Sequence, residues 1–371
     1  MRPPLSLSSK LPHRAVVLAA GFGKRLRPLT TYYAKPALPL LGRPLIEYTL
    51  RGLARQGIRE VVVNLHHRPE TLEPALEGAS ETLSVHRSLE TELLGTAGGL
   101  KKAAELLGQG VFLLLNGDTL CDFDLPKMCE VHARSKARAT LLLRPRPAGG
   151  GYSGIQVGSG GEILGIERGR EASEKSAELM FAGVWLLDSS VIELLSGEPG
   201  GLEEELLPQL IEEKSAFASP QDGRWITIDT PRRYWEASLT MVRDRIFEEE
   251  WVVRRRPHAV VDGASARVLA GADTRVEEGV RFRGTVILGA RCHVAHGAKL
   301  ENVVCWDDAS IPSGASLGNC VVTDGVVLPA ECELKDKVIL KLGPDRSGLR
   351  RREIQDDLVV AELKSGRTST L

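Results

Sequence analysis

The sequence predicts an α/β fold on a mixed, mostly parallel sheet, followed by a smaller segment of β repeats. Three observations predict it. Apolar runs of strand length alternate with stretches of helical period as far as Ile246. A glycine turn follows directly on the first run. Beyond Pro257 the apolar residues recur at every sixth position. The expected organisation is a lead-in over 1–12, an α/β domain over 13–250, a repeat domain over 257–340 and a tail over 341–371.

The strands are expected at 15–20, 60–65, 111–116 and 139–143, each a short run of Val, Leu, Ile, Ala or Phe bounded by polar or glycine residues. Helices are expected over Leu45–Gln56 and Ala97–Leu107, where apolar residues fall at helical spacing. Strand and helix in alternation mean a mainly parallel sheet covered on both faces. Thr230 and Pro231 open a last helix as N-cap and first helical residue, with Trp235, Leu239, Val242 and Ile246 on its apolar face. In the repeat segment Val276, Phe282, Leu288, Val294, Leu300 and Trp306 keep a strict period of six. That period fits a parallel β-helix, whose flat faces take about six residues each. The tail from Lys341 is charged, becomes serine-rich, and is expected to be loosely held.

Composition excludes several classes. The 371 residues carry a formal net charge of −1, which gives no general attraction to nucleic acid or to an anionic membrane. No apolar run reaches the length of a spanning helix, and the N-terminus lacks the apolar core of a signal peptide. Cys121, Cys129, Cys292, Cys305, Cys320 and Cys332 include no C-x-x-C pair. They read as free thiols in a reducing cytoplasm rather than as zinc ligands or disulfides.

The chemistry begins where the first strand ends. Ala15–Ala20 runs into Gly21-Phe22-Gly23, where residues without Cβ allow a tight turn and close approach to a ligand. Lys24, Arg25 and Arg27 crowd that turn with positive charge, and Lys35-Pro36 follows. Free backbone N–H groups, cations and a strand end together suit a polyphosphate. A dinucleotide turn would need a third glycine where Leu26 stands. Asn116-Gly117-Asp118 ends the third apolar strand, so its carboxylate falls at the same carboxyl edge, where α/β sheets bind ligands and where Mg²⁺ can bridge phosphates. The Leu94–Gly99 stretch, LGTAGG, opens a helix whose small residues let a flat base lie against backbone, with unpaired N–H groups at hand.

Taken together, LAAGFGKRLRPLT at 18–30, AKPALPLLGRPLIEY, LLGTAGGL, LLLNGDTL, FAGVWLL and WITIDTP occur in one order along the chain. In these motifs it resembles the sugar-1-phosphate nucleotidyltransferases, the guanylyl-, thymidylyl- and uridylyltransferases of hexose phosphates. The resemblance implies a Rossmann-like catalytic domain, followed by a left-handed parallel β-helix of hexapeptide repeats. It implies that a sugar-1-phosphate oxygen attacks the α-phosphorus of a nucleoside triphosphate and releases pyrophosphate, with Mg²⁺ as cofactor. The nucleotide would be cradled by Leu18, Ala20, Gly21, Phe22 and Gly23, and its base read by Gly95, Thr96, Ala97 and Gly98, with Asn116 and Gly117 beside it. Arg25 would neutralise the pyrophosphate, Lys35 the α-phosphate, and Asp118 would hold the metal. Gly154, Glu167, Arg168 and Gly183 fall where the family contacts sugar and phosphate. GTP and mannose-1-phosphate are the preferred substrates, with thymidylyl or uridylyl transfer to glucose-1-phosphate close behind. A homo-oligomer, formed through the repeat domain, is expected.

One departure matters. The family's W-x-D-x-G-T-P is here Trp225-Ile226-Thr227-Ile228-Asp229-Thr230-Pro231, so Thr227 takes the slot of the second metal-binding aspartate. On a strand, Thr227 and Asp229 would share a face about 6.5–7 Å apart. Three readings stay open: Asp229 takes over the metal, Asp118 holds it alone, or the site is weakened and the chain serves as a nucleotide-sugar-binding regulator. His293 and His296 raise a further idea, a histidine base for acyl transfer on the repeat domain. Solvated coil corners account for them more simply.

Overall fold

Side chains such as Val62 and Leu114, apolar on every position of a strand, leave neither face free for water, so these runs lie inside a sheet. The computed structural model describes residues 11–147, 151–167, 178–246, 259–262 and 266–364. By packing, the chain forms two units: 1–21 with 49–226, and 22–48 with 227–371.

Among the described residues the first unit is built on a nine-stranded sheet. Its strands are β1 (Arg14–Leu18), β2 (Glu60–Leu65), β3 (Ser84–Leu89), β4 (Val111–Asn116), β5 (Ala139–Pro145), β6 (Gly154–Val157), β7 (Ile163–Glu167), β8 (Leu179–Asp188) and β9 (Ala216–Pro220). The order is β7-β6-β8-β4-β1-β2-β3, with β5 between β8 and β9. β1 is parallel to β2 and β4, and β2 to β3. β8 runs antiparallel to both β4 and β5, which makes the sheet mixed. The four expected strands all form, though β1 stops at Leu18 and leaves Ala19 and Ala20 buried beyond it. Helix α1 (Leu45–Arg55) forms as expected, and α2 (Gly95–Ala104) starts two residues early, within the glycine stretch. Asp124 caps α3 (Leu125–Ser135) by accepting from the Lys127 amide.

In the second unit Thr230 caps α4 (Pro231–Arg243), its side chain accepting from the Arg233 amide. Leu239, Val242 and Ile246 are buried as expected, but Trp235 is only half-buried and Tyr234 is the residue fully enclosed. Trp235 donates its indole N–H to the Asn302 carbonyl at 2.8 Å. The helix therefore turns a wider face inward than its apolar stripe suggests.

The C-terminal strands pair in parallel with a step of 17 or 18 residues: Arg281 opposite Lys299, Lys299 opposite Ser316, Ser316 opposite Glu333. The same step joins Val304 to Val321 and Val321 to Val338. A step of 17, one short of three hexads, makes the period of six slip from Val286 onward. Leu288, Val294 and Leu300 are buried, but Val276 is 44% exposed and Phe282 only half-buried. Trp306 is buried against the rings of Tyr33 and Tyr234. Each turn also needs a left-handed residue. Gly284, Asn302, Asn319 and Asp336 fill that position with φ between 51° and 66°, residue types that tolerate it at low cost. Their side chains form a ladder, Asn302 to Asn319 at 3.4 Å and Asn319 to Asp336 at 3.0 Å. Asp336 pairs with Arg232 of α4 at 3.8 Å.

Two further features depart from expectation. Leu358–Glu362 pairs antiparallel with Lys337–Lys341 and buries Leu358, Val359 and Ala361, so part of the expected tail is strand in a sheet. Residues 22–48 pack with this unit. Tyr33 donates to Asp324 at 2.8 Å, the Gly343 amide donates to Tyr32 at 2.8 Å, and Tyr234 donates to the Pro39 carbonyl. All six cysteines are free, and burial pushes the Cys292 and Cys320 thiols up to about 11. No helix among the described residues is long and apolar enough to cross a membrane.

His132 of α3 is buried against the Thr140 hydroxyl at 3.0 Å. Burial holds its pKa below the ordinary 6.5, against a smaller opposing pull from Asp188. The unfolded chain then takes up a proton that the folded one refuses, so stability is kept above pH 6.5 and falls as pH drops below it. Urea denaturation on either side of that pH is expected to show a shallower fall for His132→Gln.

Candidate active site

At the carboxyl edge of the first sheet, Leu18 and Asn116 end neighbouring parallel strands in register. The Gly117 amide donates to the Leu18 carbonyl at 2.9 Å. A Cβ on residue 117 would stand 2.7 Å from that carbonyl oxygen, so the turn needs glycine. Asp118 comes next, half-buried, accepting from the Thr119 hydroxyl at 3.0 Å. Gly183, with φ of 87°, sits where β8 slips register against β5. A Cβ there would be 3.1 Å from the Asn116 amide nitrogen. The unit therefore gathers Leu18, Asn116, Gly117, Asp118 and Gly183. Ala20 lies buried just past β1, its carbonyl accepting from the His67 amide, and Gly21 is exposed with open space around it.

Gly154 and Glu167 face each other across β6 and β7. Glu167 accepts from Gln156 at 3.0 Å and stands 4.0 Å from Arg146. Tyr152 packs edge-on to Trp225 at 5.2 Å, and the Trp225 indole donates to the Ala182 carbonyl, beside Gly183. Arg168, expected to contact the sugar phosphate, lies outside the described residues.

The glycine stretch of α2 packs against 197–202. The Ala97 amide donates to the Gly200 carbonyl at 3.0 Å, and the Leu202 amide to the Thr96 hydroxyl at 2.7 Å. Cβ atoms at Gly95 and Gly98 would stand 2.3 Å and 2.8 Å from the Gly200 and Glu198 carbonyl oxygens. Gly95, Thr96, Ala97 and Gly98 are thus held together, and of the N–H groups at this helix start, expected to be unpaired, that of Ala97 is already used. Sequence reasoning missed the network beneath them. Buried Asn64 accepts from the Ala19 amide at 2.6 Å and donates to buried Glu90 at 2.7 Å. The second Glu90 oxygen accepts from the Leu94 amide at 3.0 Å. One polar residue inside the strand Glu60–Leu65 was the available signal.

In the second unit Gly23 adopts φ of 59°, and its carbonyl accepts from the Thr30 hydroxyl at 2.9 Å. A Cβ there would press on Thr30 Cγ2 at 2.9 Å and Lys35 Cβ at 3.2 Å, which puts half-buried Lys35 beside the glycine turn. Lys24 reaches over the Phe22 ring. Arg25 Nη1 stands 3.3 Å from Asp229 Oδ2, and Arg233 Nη1 stands 3.2 Å from the same oxygen. Asp229 Oδ1 is buried and makes no hydrogen bond among the described residues. The strand Trp225–Thr227 ends before Asp229, so Thr227 and Asp229 do not share a strand face as expected. Buried Ile228 and the cap Thr230 fix Asp229 instead.

Among the described residues no three acidic, His or Cys side chains form a metal cluster. A Mg²⁺ ion needs only one or two carboxylates when phosphate oxygens and water complete its shell. Asp118 in the first unit, and the unbonded oxygen of Asp229 in the second, are, each taken singly, the kind of ligand such an ion accepts. His293 and His296 are both engaged by a neighbouring turn, His293 with Glu277 at 2.9 Å and His296 with the Glu278 carbonyl at 2.7 Å.

Residues 14–243, well over half the chain, match the nucleotidyl transferase family. The chain belongs to that family. It is 27% identical to the UTP–glucose-1-phosphate uridylyltransferase of Synechocystis sp., with 88% of this chain and 93% of the relative aligned. It is 29% identical to the mannose-1-phosphate guanyltransferase of Yarrowia lipolytica, over 70% of each. The Candida albicans mannose-1-phosphate guanyltransferase is 27% identical, over 88% of this chain and 93% of its own.

In this nucleotidyl transferase the Asn64–Glu90 network ties the end of β1 to the loop before α2. Glu90→Ala leaves buried Asn64 and Leu94 donors without an acceptor and is expected to cost about 2–4 kcal/mol. Urea denaturation measures the loss, and hydrogen exchange at 91–97 is expected to quicken more than elsewhere.

Proposed function

We propose that the protein joins a nucleoside triphosphate to a sugar-1-phosphate, giving a nucleotide sugar and pyrophosphate, with GTP and mannose-1-phosphate as its substrates. The observation that carries this reading is the alignment with a mannose-1-phosphate guanyltransferase along 88% of the chain, C-terminal strands included. The equal span of the match to a UTP–glucose-1-phosphate uridylyltransferase favours a second reading, UTP with glucose-1-phosphate.

In the proposed reaction an oxygen of the sugar-1-phosphate forms a bond to the α-phosphorus while the α–β bridging bond breaks. The electron pair leaves with pyrophosphate. The nucleophile is already anionic at neutral pH, so the protein supplies charge compensation and alignment rather than a base. Arg25 receives the charge that gathers on pyrophosphate, and Lys35 the charge on the α-phosphate. The amides around Gly21, Phe22 and Gly23 cradle the triphosphate. The stretch Gly95–Gly98, with Leu18, Ala20, Asn116 and Gly117, forms the nucleoside seat. Gly154, Glu167, Arg168 and Gly183 bind the sugar phosphate, an assignment supported by the Gly154–Glu167 pairing and the Asn116–Gly183 approach. Asp118 and Asp229 would hold Mg²⁺, which screens the repulsion between the two phosphate groups. We further propose that the 17- and 18-residue step of the C-terminal strands belongs to a left-handed parallel β-helix, that this segment joins copies of the chain into an oligomer, and that the enzyme works in the cytoplasm.

Pyrophosphate release, measured for four nucleoside triphosphates against several hexose-1-phosphates, tests the reading. The highest kcat/KM is expected for GTP with mannose-1-phosphate, and silence on every pair would sink it. Asp118→Asn is expected to lower kcat by roughly a hundredfold or more with little change in melting temperature. Unchanged turnover would remove Asp118 from the metal.

A further inference from the structure

Two guanidinium groups converge on one carboxylate oxygen in the second unit. Arg25 approaches Asp229 Oδ2 from the loop after the glycine turn, at 3.3 Å, and Arg233 approaches it from the first turn of α4, at 3.2 Å. The Asp229 side chain is 11% exposed, against 60% for Arg25 and 34% for Arg233. A nearly enclosed anion thus sits between two more accessible cations. Its other oxygen, Oδ1, is buried and accepts no hydrogen bond among the described residues. A carboxylate held for stability alone would be expected to satisfy both oxygens. Guanidinium groups aimed at a common point are suited to phosphate, whose oxygens accept from planar N–H donors as a carboxylate does.

We propose that Arg25 and Arg233 form a polyphosphate clamp, and that Asp229 is its resting occupant. A pyrophosphate group enters by displacing the carboxylate from the two arginines. Arg233 thereby becomes a second cation for the pyrophosphate end of the triphosphate, alongside Arg25. Asp229 acts as an internal competitor that neutralises the pair while no polyphosphate is bound. The sequence agrees in that Asp229 stands at the departure from W-x-D-x-G-T-P, where the motif has a glycine and no competitor. This inference rests on the function proposed above only in taking the ligand to be a polyphosphate.

The test is calorimetric titration of inorganic pyrophosphate into the full chain, with chelator and no divalent metal, and with orthophosphate as control. Asp229→Asn is expected to bind pyrophosphate roughly fivefold tighter than the unaltered chain, the scale of one partly exposed ion pair. Arg233→Ala is expected to bind several-fold more weakly, Arg233→Lys in between, and the double variant Asp229→Asn with Arg233→Ala to lose the gain. Orthophosphate, with less charge and fewer oxygens to share between the two arginines, is expected to gain less than pyrophosphate. Circular dichroism melts show whether a weak variant is merely unfolded, and the lysine variant keeps the charge if the alanine variant fails to fold. The proposal is overturned if Asp229→Asn binds pyrophosphate no more tightly, if Arg233→Ala and Arg233→Lys both bind as the unaltered chain does, or if no variant binds it. Turnover on sugar phosphates is measured separately. A chain that turns over without these affinity changes loses only the clamp, and one that shows them without turnover loses only the transferase reading.

Discussion

The amide of Gly117 donates to the carbonyl of Leu18 across the ends of two parallel strands, and the contact leaves no room for a side chain. Much of the first unit's chemistry depends on that approach. It turns the chain sharply enough for Asp118 to follow at the sheet edge. It keeps Asn116 where its side-chain amide would crowd a Cβ on residue 183. A methyl group on residue 117 would push β4 away from β1, and backbone in a packed sheet has little freedom to yield. The same edge is fixed by Asn64 and Glu90, which join the Ala19 and Leu94 amides through a chain of three hydrogen bonds.

The second unit solves a different problem. The segment carrying Arg25 and Lys35 is short of regular structure, and three-residue helical turns cannot hold cations in place alone. Aromatic residues do that work. Tyr33 is bonded to Asp324 and packed edge-on to Trp306, and Trp306 donates to Tyr234, which in turn donates to Pro39. Each ring contributes a large apolar contact and a polar tip that finds a partner. The C-terminal strands thus support the loop that carries Arg25 and Lys35.

What the sequence made legible was local. The strands at 60–65 and 111–116 form where their apolar runs lie, because a run of Val or Leu bounded by polar residues has one cheap conformation. Thr230-Pro231 announced a helix start, because capping is settled within four residues. Gly117-Asp118 could be read as a turn at a sheet edge for the same reason. Non-local facts were hidden. The antiparallel course of β8 depends on which strands it meets. The period of six fitted only where successive strands stand 18 residues apart, and from Val286 and Val303 onward the step is 17. The Asn302–Asn319–Asp336 ladder looks in sequence like isolated polar residues. Leu358–Glu362 looked like part of a charged tail, because its partner strand was not visible. Arg25 was legible only as a cation next to the glycine turn. Its carboxylate partner lies too far along the chain for any pattern to connect them.

The tyrosine contacts of the 22–48 segment also set a clock on assembly. Tyr33 waits for Asp324, 291 residues later, and Tyr32 for Gly343, 311 residues later. At ordinary rates of translation that delay is on the order of half a minute. Throughout it the emerging chain carries an unsupported, cation-rich loop among neighbouring ribosomes and their RNA. Its final placement must come after Gly343 has left the exit tunnel.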